Sequence, residues 1–142
     1  GLLDYIRKQS HEYHLVPGSI CFELTETVAL NNLEAATGFI RDCKELGFQC
    51  ALDHFGGGKN AFGYLKNLPV DYLKIDGSFV RNIEHDRIDH AMVETINHIG
   101  HLLGKRTVAE FAETEVIIDQ LSSIGVDFAQ GYGVCHPLPL FA

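Results

Sequence analysis

An α/β fold with a parallel sheet and helices packed outside it is the architecture that this sequence predicts. Five short apolar runs each end in a residue capable of chemistry: Ile20-Cys21-Phe22 before Glu23, Cys50-Ala51-Leu52 before Asp53, Tyr72-Leu73 before Lys74, Thr107-Val108-Ala109 before Glu110, and Asp127-Phe128-Ala129 before Gln130. Stretches with helical periodicity separate these runs. Helix–glycine–strand junctions recur at Leu46-Gly47, Leu103-Gly104 and Ile124-Gly125. Such alternation implies parallel strands joined by helical crossovers. Parallel β/α folds carry their sites at the C-terminal ends of the strands. The chain is therefore expected to build one polar site from several strand ends.

Each element has a local reason. Residues 1–14 read as the end of a helix, with Leu2, Leu3 and Ile6 as its apolar stripe, and Val16-Pro17-Gly18 as the turn after it. The first strand covers residues 19–24. Asn31 or Asn32 can cap the next helix, in which Leu33, Ala36, Phe39/Ile40, Cys43 and Leu46 recur every three to four residues. Gly47 suits its C-terminal end. The second strand ends at Asp53. A loop with Gly56-Gly57-Gly58 follows, then a short helix over residues 61–66 that Pro69 stops. Val70 leads into the third strand, which ends near Asp76. Ile88, Met92, Ile96, Ile99 and Leu103 form one face of the next helix. The fourth strand ends near Glu110, and Val116, Ile117, Leu121 and Ile124 mark the helix before the fifth. A doubly wound sheet and a (β/α)8 barrel both satisfy this order. The strand-end chemistry favours the barrel, although a complete one takes about 250 residues and this chain has 142.

Composition narrows the function classes. An apolar fraction of 46% suits a globular domain with a real core. No apolar run approaches the ~18 residues of a membrane span, and no signal or transit leader opens the sequence. The net charge of -8 argues against a DNA- or RNA-binding surface. A small phosphate ligand remains compatible, because divalent cations supply positive charge locally. Cys21, Cys43, Cys50 and Cys135 are scattered without a Cys-x-x-Cys pair, as expected of reduced thiols in a cytoplasmic protein.

The strand-end residues belong to longer motifs. Glu23-Leu24-Thr25-Glu26, Asp53-His54-Phe55-Gly56, Leu73-Lys74-Ile75-Asp76, Val108-Ala109-Glu110-Phe111-Ala112-Glu113-Thr114, Gln130-Gly131-Tyr132 and Pro137-Leu138-Pro139 occur in that order. Together they closely resemble the later part of an EAL domain, the family of bacterial cyclic-di-GMP phosphodiesterases and their degenerate, nucleotide-sensing relatives. The resemblance runs from about Leu2 to Pro139. It implies a partial TIM-like barrel made of the later βα units. It also implies that residues 1–142 lack the early strands, which carry the Glu-Ala-Leu motif and a metal-binding Asn. The parent is expected to carry sensory or diguanylate-cyclase-like domains and could be membrane-attached.

The resemblance assigns roles residue by residue. Glu23 and Asp53 would hold Mg²⁺ or Mn²⁺, with His54 beside them. Lys74 would orient the attacking water and stabilise charge near the phosphate. Glu110 would join the metal or water network, and Gln130 would lie in the same site. Glu26 and Glu113 would support the loops, and Asp76 would face the nucleotide. Taken singly, each has a plainer reading: a solvated carboxylate, a charge beside a βα turn, or a first-turn helix acid favoured by the macrodipole. Five in order at successive strand ends favour the site.

Three departures from the family pattern fall on the same face. His54 stands where a second Asp is usual. Gly57-Gly58-Lys59-Asn60-Ala61 replaces a more ordered loop. Phe111 stands where Gly is expected. Neutral imidazole is a poor Mg²⁺ ligand, so the departures suggest weakened catalysis. Two function classes follow, a metal-dependent hydrolase of cyclic-di-GMP and a degenerate module that binds the nucleotide or a protein without hydrolysing it. By itself the chain is expected to be inactive, to hold metal poorly if at all, and to self-associate through unpaired sheet edges.

Overall fold

The computed structural model describes residues 1–58 and 62–139. Its core is one parallel sheet of five strands in sequential order: β1 (Cys21–Thr25), β2 (Gln49–Phe55), β3 (Tyr72–Ile75), β4 (Arg106–Ala109) and β5 (Phe128–Ala129). Sequential order decides between the two architectures left open by the pattern. A doubly wound sheet reverses its strand order at a switch point, whereas right-handed crossovers that always step the same way leave every helix on one face. Registers such as Leu24↔Leu52, Leu52↔Leu73 and Leu73↔Thr107 line up the covered face. Leu52, Leu73, Ile75 and Ala109 are fully buried there. The opposite face stays open, and Phe128 is 44% exposed on it.

The helices are α1 (Leu2–Glu12), α2 (Glu26–Asn31), α3 (Leu33–Glu45), α4 (Gly77–Arg81), α5 (Arg87–Leu102) and α6 (Glu115–Ile124), with a 3-10 turn at Phe62–Lys66. Two of them, α2 and α4, are short helices that periodicity does not announce. Each starts from a cap at a strand end: Thr25 Oγ1 accepts the Val28 N–H, and Asp76 Oδ1 accepts the Ser78 N–H. Asn32 rather than Asn31 caps α3, accepting the Ala35 N–H at 3.1 Å. Gly47, Gly104 and Gly125 at the helix–strand junctions all have positive φ, the geometry that ends a helix and turns it back toward the sheet. Lys59, Asn60 and Ala61, part of the glycine-rich loop motif, lie outside the described residues. Among the described residues, no helix is long and apolar enough to cross a membrane.

A polar network ties α5 to the sheet at the end opposite the site. The buried Thr107 hydroxyl donates to Asn97 Oδ1 at 2.6 Å, and Asn97 Nδ2 donates to the Ile124 carbonyl. Asp127 Oδ2 accepts the Thr107 N–H at 2.8 Å and lies 2.7 Å from His101 Nε2. Burial alone would raise the Asp127 pKa, but the Thr107 N–H and His101 outweigh it and hold the carboxyl below its ordinary value. A lowered folded-state pKa stabilises above the unfolded value of about 3.9 and loses that contribution as pH falls through the folded one. Asp127→Asn should therefore cost about 1 kcal/mol at pH 5, a modest figure because the group is partly exposed. Urea melts should show that difference shrinking below about pH 4.

Candidate functional site

Five strand ends and the residues after them converge on the open face. Lys74, the third residue of β3, is central. Its ammonium lies 2.9 Å from Glu23 Oε1 on β1 and 2.9 Å from Glu110 Oε1 just after β4. The Lys74 side chain is only 8% exposed. Burial favours loss of its proton, yet hydrogen bonds to Glu23 and Glu110, together with their charges, outweigh that and raise its pKa above the ordinary lysine value. Lys74 is thus a fixed cation over the working pH range, suited to stabilising anionic oxygens and unsuited to accepting a proton.

Asp53, on β2, and Glu110 each expose 16% of their side chains. They wall a groove with His54, Phe111, Gln130 and Tyr132. Asp53, His54 and Glu110 each offer one ligand atom, all within 4.8 Å of one another. Opposite ligands of a Mg²⁺ ion stand about 4.2 Å apart, so small rotamer changes would close this group on a cation. Glu23, assigned to the metal from sequence, is held by Lys74 and lies outside the compact group. Glu110, assigned to the metal or water network, lies inside it.

The supporting residues have definite places. Glu26 is 4% exposed and accepts the Gly56 N–H at 3.3 Å and the Tyr64 hydroxyl at 2.6 Å. It thereby joins the start of α2 to the loop after β2. Burial first, then Glu26, push the Tyr64 phenol well above its ordinary pKa, so it remains a donor. Tyr64→Phe should cost about 1.5–3 kcal/mol, the range for hydrogen bonds to charged groups, in a urea melt at neutral pH. An unchanged midpoint would refute the role of this bond. Gln130 continues the β ladder: its N–H donates to Ala109 O and its carbonyl accepts from the Ala112 N–H. Glu113 is exposed at the groove rim. Asp76 spends one carboxylate oxygen on capping α4.

The structure also shows what Phe111 does. Its φ is +58°, a left-handed conformation that explains why glycine is the expected residue there. The ring packs over Gly77, which has no Cβ to obstruct it. The Arg81 guanidinium carbon stands 3.9 Å from the ring centroid on the same clamp. Tyr64 and Arg81 carry no sequence signal as partners of the site. Their contacts span 38 residues in one case and join the end of α4 to the loop after β4 in the other.

Comparison with known proteins fits this geometry. A family model described as EAL domain matches residues 1–137. The chain belongs to the EAL domain family. It is 44% identical over 140 residues to the cyclic di-GMP phosphodiesterase PdeB of Shewanella oneidensis, covering 99% of this chain and 16% of that protein. It is 40% identical over 129 residues to PdeF of Escherichia coli, another cyclic di-GMP phosphodiesterase, covering 91% and 17%. Among solved structures, the PaMucR phosphodiesterase in complex with c-di-GMP superposes with a TM-score of 0.92 at 33% identity, covering 99% of this chain and 57% of that one. The EAL domain of FimX bound to c-di-GMP superposes with a TM-score of 0.90 at 28% identity, covering 96% and 56%. The chain thus spans about a sixth of these curated relatives and somewhat over half of the solved EAL chains. Its five-stranded sheet is part of the TIM-like barrel of the EAL fold.

Proposed function

We propose that this chain is the later βα portion of an EAL domain that hydrolyses cyclic-di-GMP to the linear dinucleotide with Mg²⁺ or Mn²⁺. The carrying observation is the placement of Lys74 between Glu23 and Glu110, beside the Asp53–His54–Glu110 group. Hydrolysis adds water across one P–O bond, so the site must align a water and stabilise charge on the phosphoryl oxygens. A bound divalent cation would supply an acidified water and a Lewis acid. Asp53 and Glu110, with His54, would hold it. Lys74, always charged, faces the position where phosphoryl charge builds and orients the water by hydrogen bonding. Gln130 bounds the groove, Glu26 and Glu113 steady its loops, and Asp76 lies on the nucleotide side.

The reading carries consequences for the isolated chain. Strands outside residues 1–142 would complete the barrel and its ligand set, with sensory or cyclase-like domains in the same cytoplasmic polypeptide. The PdeB and PdeF matches, covering 16% and 17% of those proteins, support a longer parent. Without the remaining strands, Phe128 and the rest of the open face are uncovered, and copies of the chain would pair through it. The test is hydrolysis of cyclic-di-GMP followed by chromatography. Full-length protein should yield the linear dinucleotide with Mg²⁺ or Mn²⁺, the 142-residue chain should not, and light scattering should find the chain at least dimeric. Nucleotide binding by the full-length protein without turnover under any divalent cation would replace the enzyme reading with the sensor one.

A further inference from the structure

The end of β2 breaks strand alternation at the candidate cation group. Leu52 is buried in the core and Asp53 faces the groove, so plain alternation would bury His54 and expose Phe55. The reverse is observed: Phe55 is fully buried and His54 is exposed. The register with β3 shifts between Leu52 and Phe55, and His54 has a φ of +56°. This is a β-bulge, which re-aims a side chain by inserting one residue. Its effect is to set His54 beside Asp53 on the groove. Non-glycine residues adopt this conformation uncommonly, and here it brings a nitrogen donor to a carboxylate group.

The local bonding fits shared coordination. The His54 backbone N–H donates to Asp53 Oδ1 at 2.8 Å. Asp53 Oδ2 then faces His54 Nε2 at 3.6 Å, too long for a hydrogen bond. Two donors on one tetrahedral ion stand about 3.4 Å apart. We propose that His54 makes this group a mixed nitrogen–oxygen centre that takes Co²⁺ or Zn²⁺ in preference to Mg²⁺. The inference rests on the metal reading of the site given above and deepens it. Mg²⁺ favours an octahedral shell of oxygens and sheds water reluctantly. Neutral imidazole suits Co²⁺ and Zn²⁺, whose affinities for nitrogen-containing sites exceed those of earlier divalent ions.

The test uses the 142-residue chain with the metal ions alone. Calorimetry would give Mg²⁺, Co²⁺ and Zn²⁺ affinities, and the visible absorption of bound Co²⁺ would report its ligands. The chain has eight histidines, so His54→Ala and His54→Asp are measured alongside. Co²⁺ and Zn²⁺ should bind at least tenfold more tightly than Mg²⁺. His54→Ala should lower Co²⁺ affinity about tenfold and alter its spectrum, while His54→Asp should narrow the preference by strengthening Mg²⁺ binding. Unchanged Co²⁺ affinity and spectrum in both variants, or equal Mg²⁺ and Co²⁺ affinities in the parent chain, would overturn the inference and leave the metal reading standing. Failure of all three ions to bind this chain would overturn the inference, while Mg²⁺- or Mn²⁺-dependent hydrolysis by the full-length protein tests the metal reading separately. His54 is exposed, and circular dichroism of both variants checks that the fold is retained.

Discussion

Lys74→Met should slow hydrolysis by the full-length protein about 10²–10³-fold and destabilise the 142-residue chain by about 2–4 kcal/mol. The size follows from what is left behind. Methionine matches the stem but removes the only cation within reach of both Glu23 Oε1 and Glu110 Oε1 among the ion pairs of the described residues. Glu110 exposes just 16% of its side chain and would lose its compensating charge. Glu23 is 46% exposed and can turn to water, which keeps the cost below that of a fully buried pair. For turnover, loss of one fixed electrostatic group costs about 10²–10³-fold.

The pH dependence separates this ion pair from mere packing. The folded-state pKa of Lys74 is raised. Its stabilisation is therefore complete below the unfolded lysine value of about 10.4 and fades as pH rises through the folded one. The stability gap between the unmodified chain and Lys74→Met should be level between pH 7 and 9 and narrow above about pH 10.5. A gap that persists unchanged at higher pH would assign the loss to packing of the stem.

Gly131→Ala should cost more than 2 kcal/mol in stability and remove the groove wall beside Gln130. The φ of Gly131 is +151°, outside what side-chain-bearing residues adopt readily. A Cβ there would stand 2.6 Å from both the nitrogen and the carbonyl oxygen of Ala112. These are backbone atoms, so no rotamer change relieves the overlap. The Ala112–Gln130 ladder bond, N–H to carbonyl at 2.9 Å, would have to open, and with it the loop that carries Phe111 and Glu113. Urea denaturation gives the stability loss, and amide exchange at Ala112 would show whether that bond opens. A variant as stable as its parent would mean that the loop moves freely as a unit.

Much of this protein was legible in its residues because the signals are local. Strand–helix alternation, the glycines at Gly47, Gly104 and Gly125, and the polar residue after each apolar run all act within a few positions of themselves. So does the motif order, which brought the EAL family into view and which the match over residues 1–137 bears out. The short helices α2 and α4 escaped the pattern because one or two turns do not display a period, and their caps at Thr25 and Asp76 also read as strand-end polar residues.

What only the tertiary structure decided is who meets whom. Glu23, Lys74 and Glu110 lie on β1, on β3 and just after β4, and sequence spacing cannot say that the lysine sits between the two carboxylates. Nor could it show that the bulge turns His54 toward Asp53 while sending Phe55 into the core. The residue types were set by the chain alone, and with them the kind of chemistry. Their grouping was set by sheet register and by one inserted residue in β2. A one-position change in register carries a side chain to the opposite face of the sheet, so the composition of the site depends on pairing that no single segment encodes.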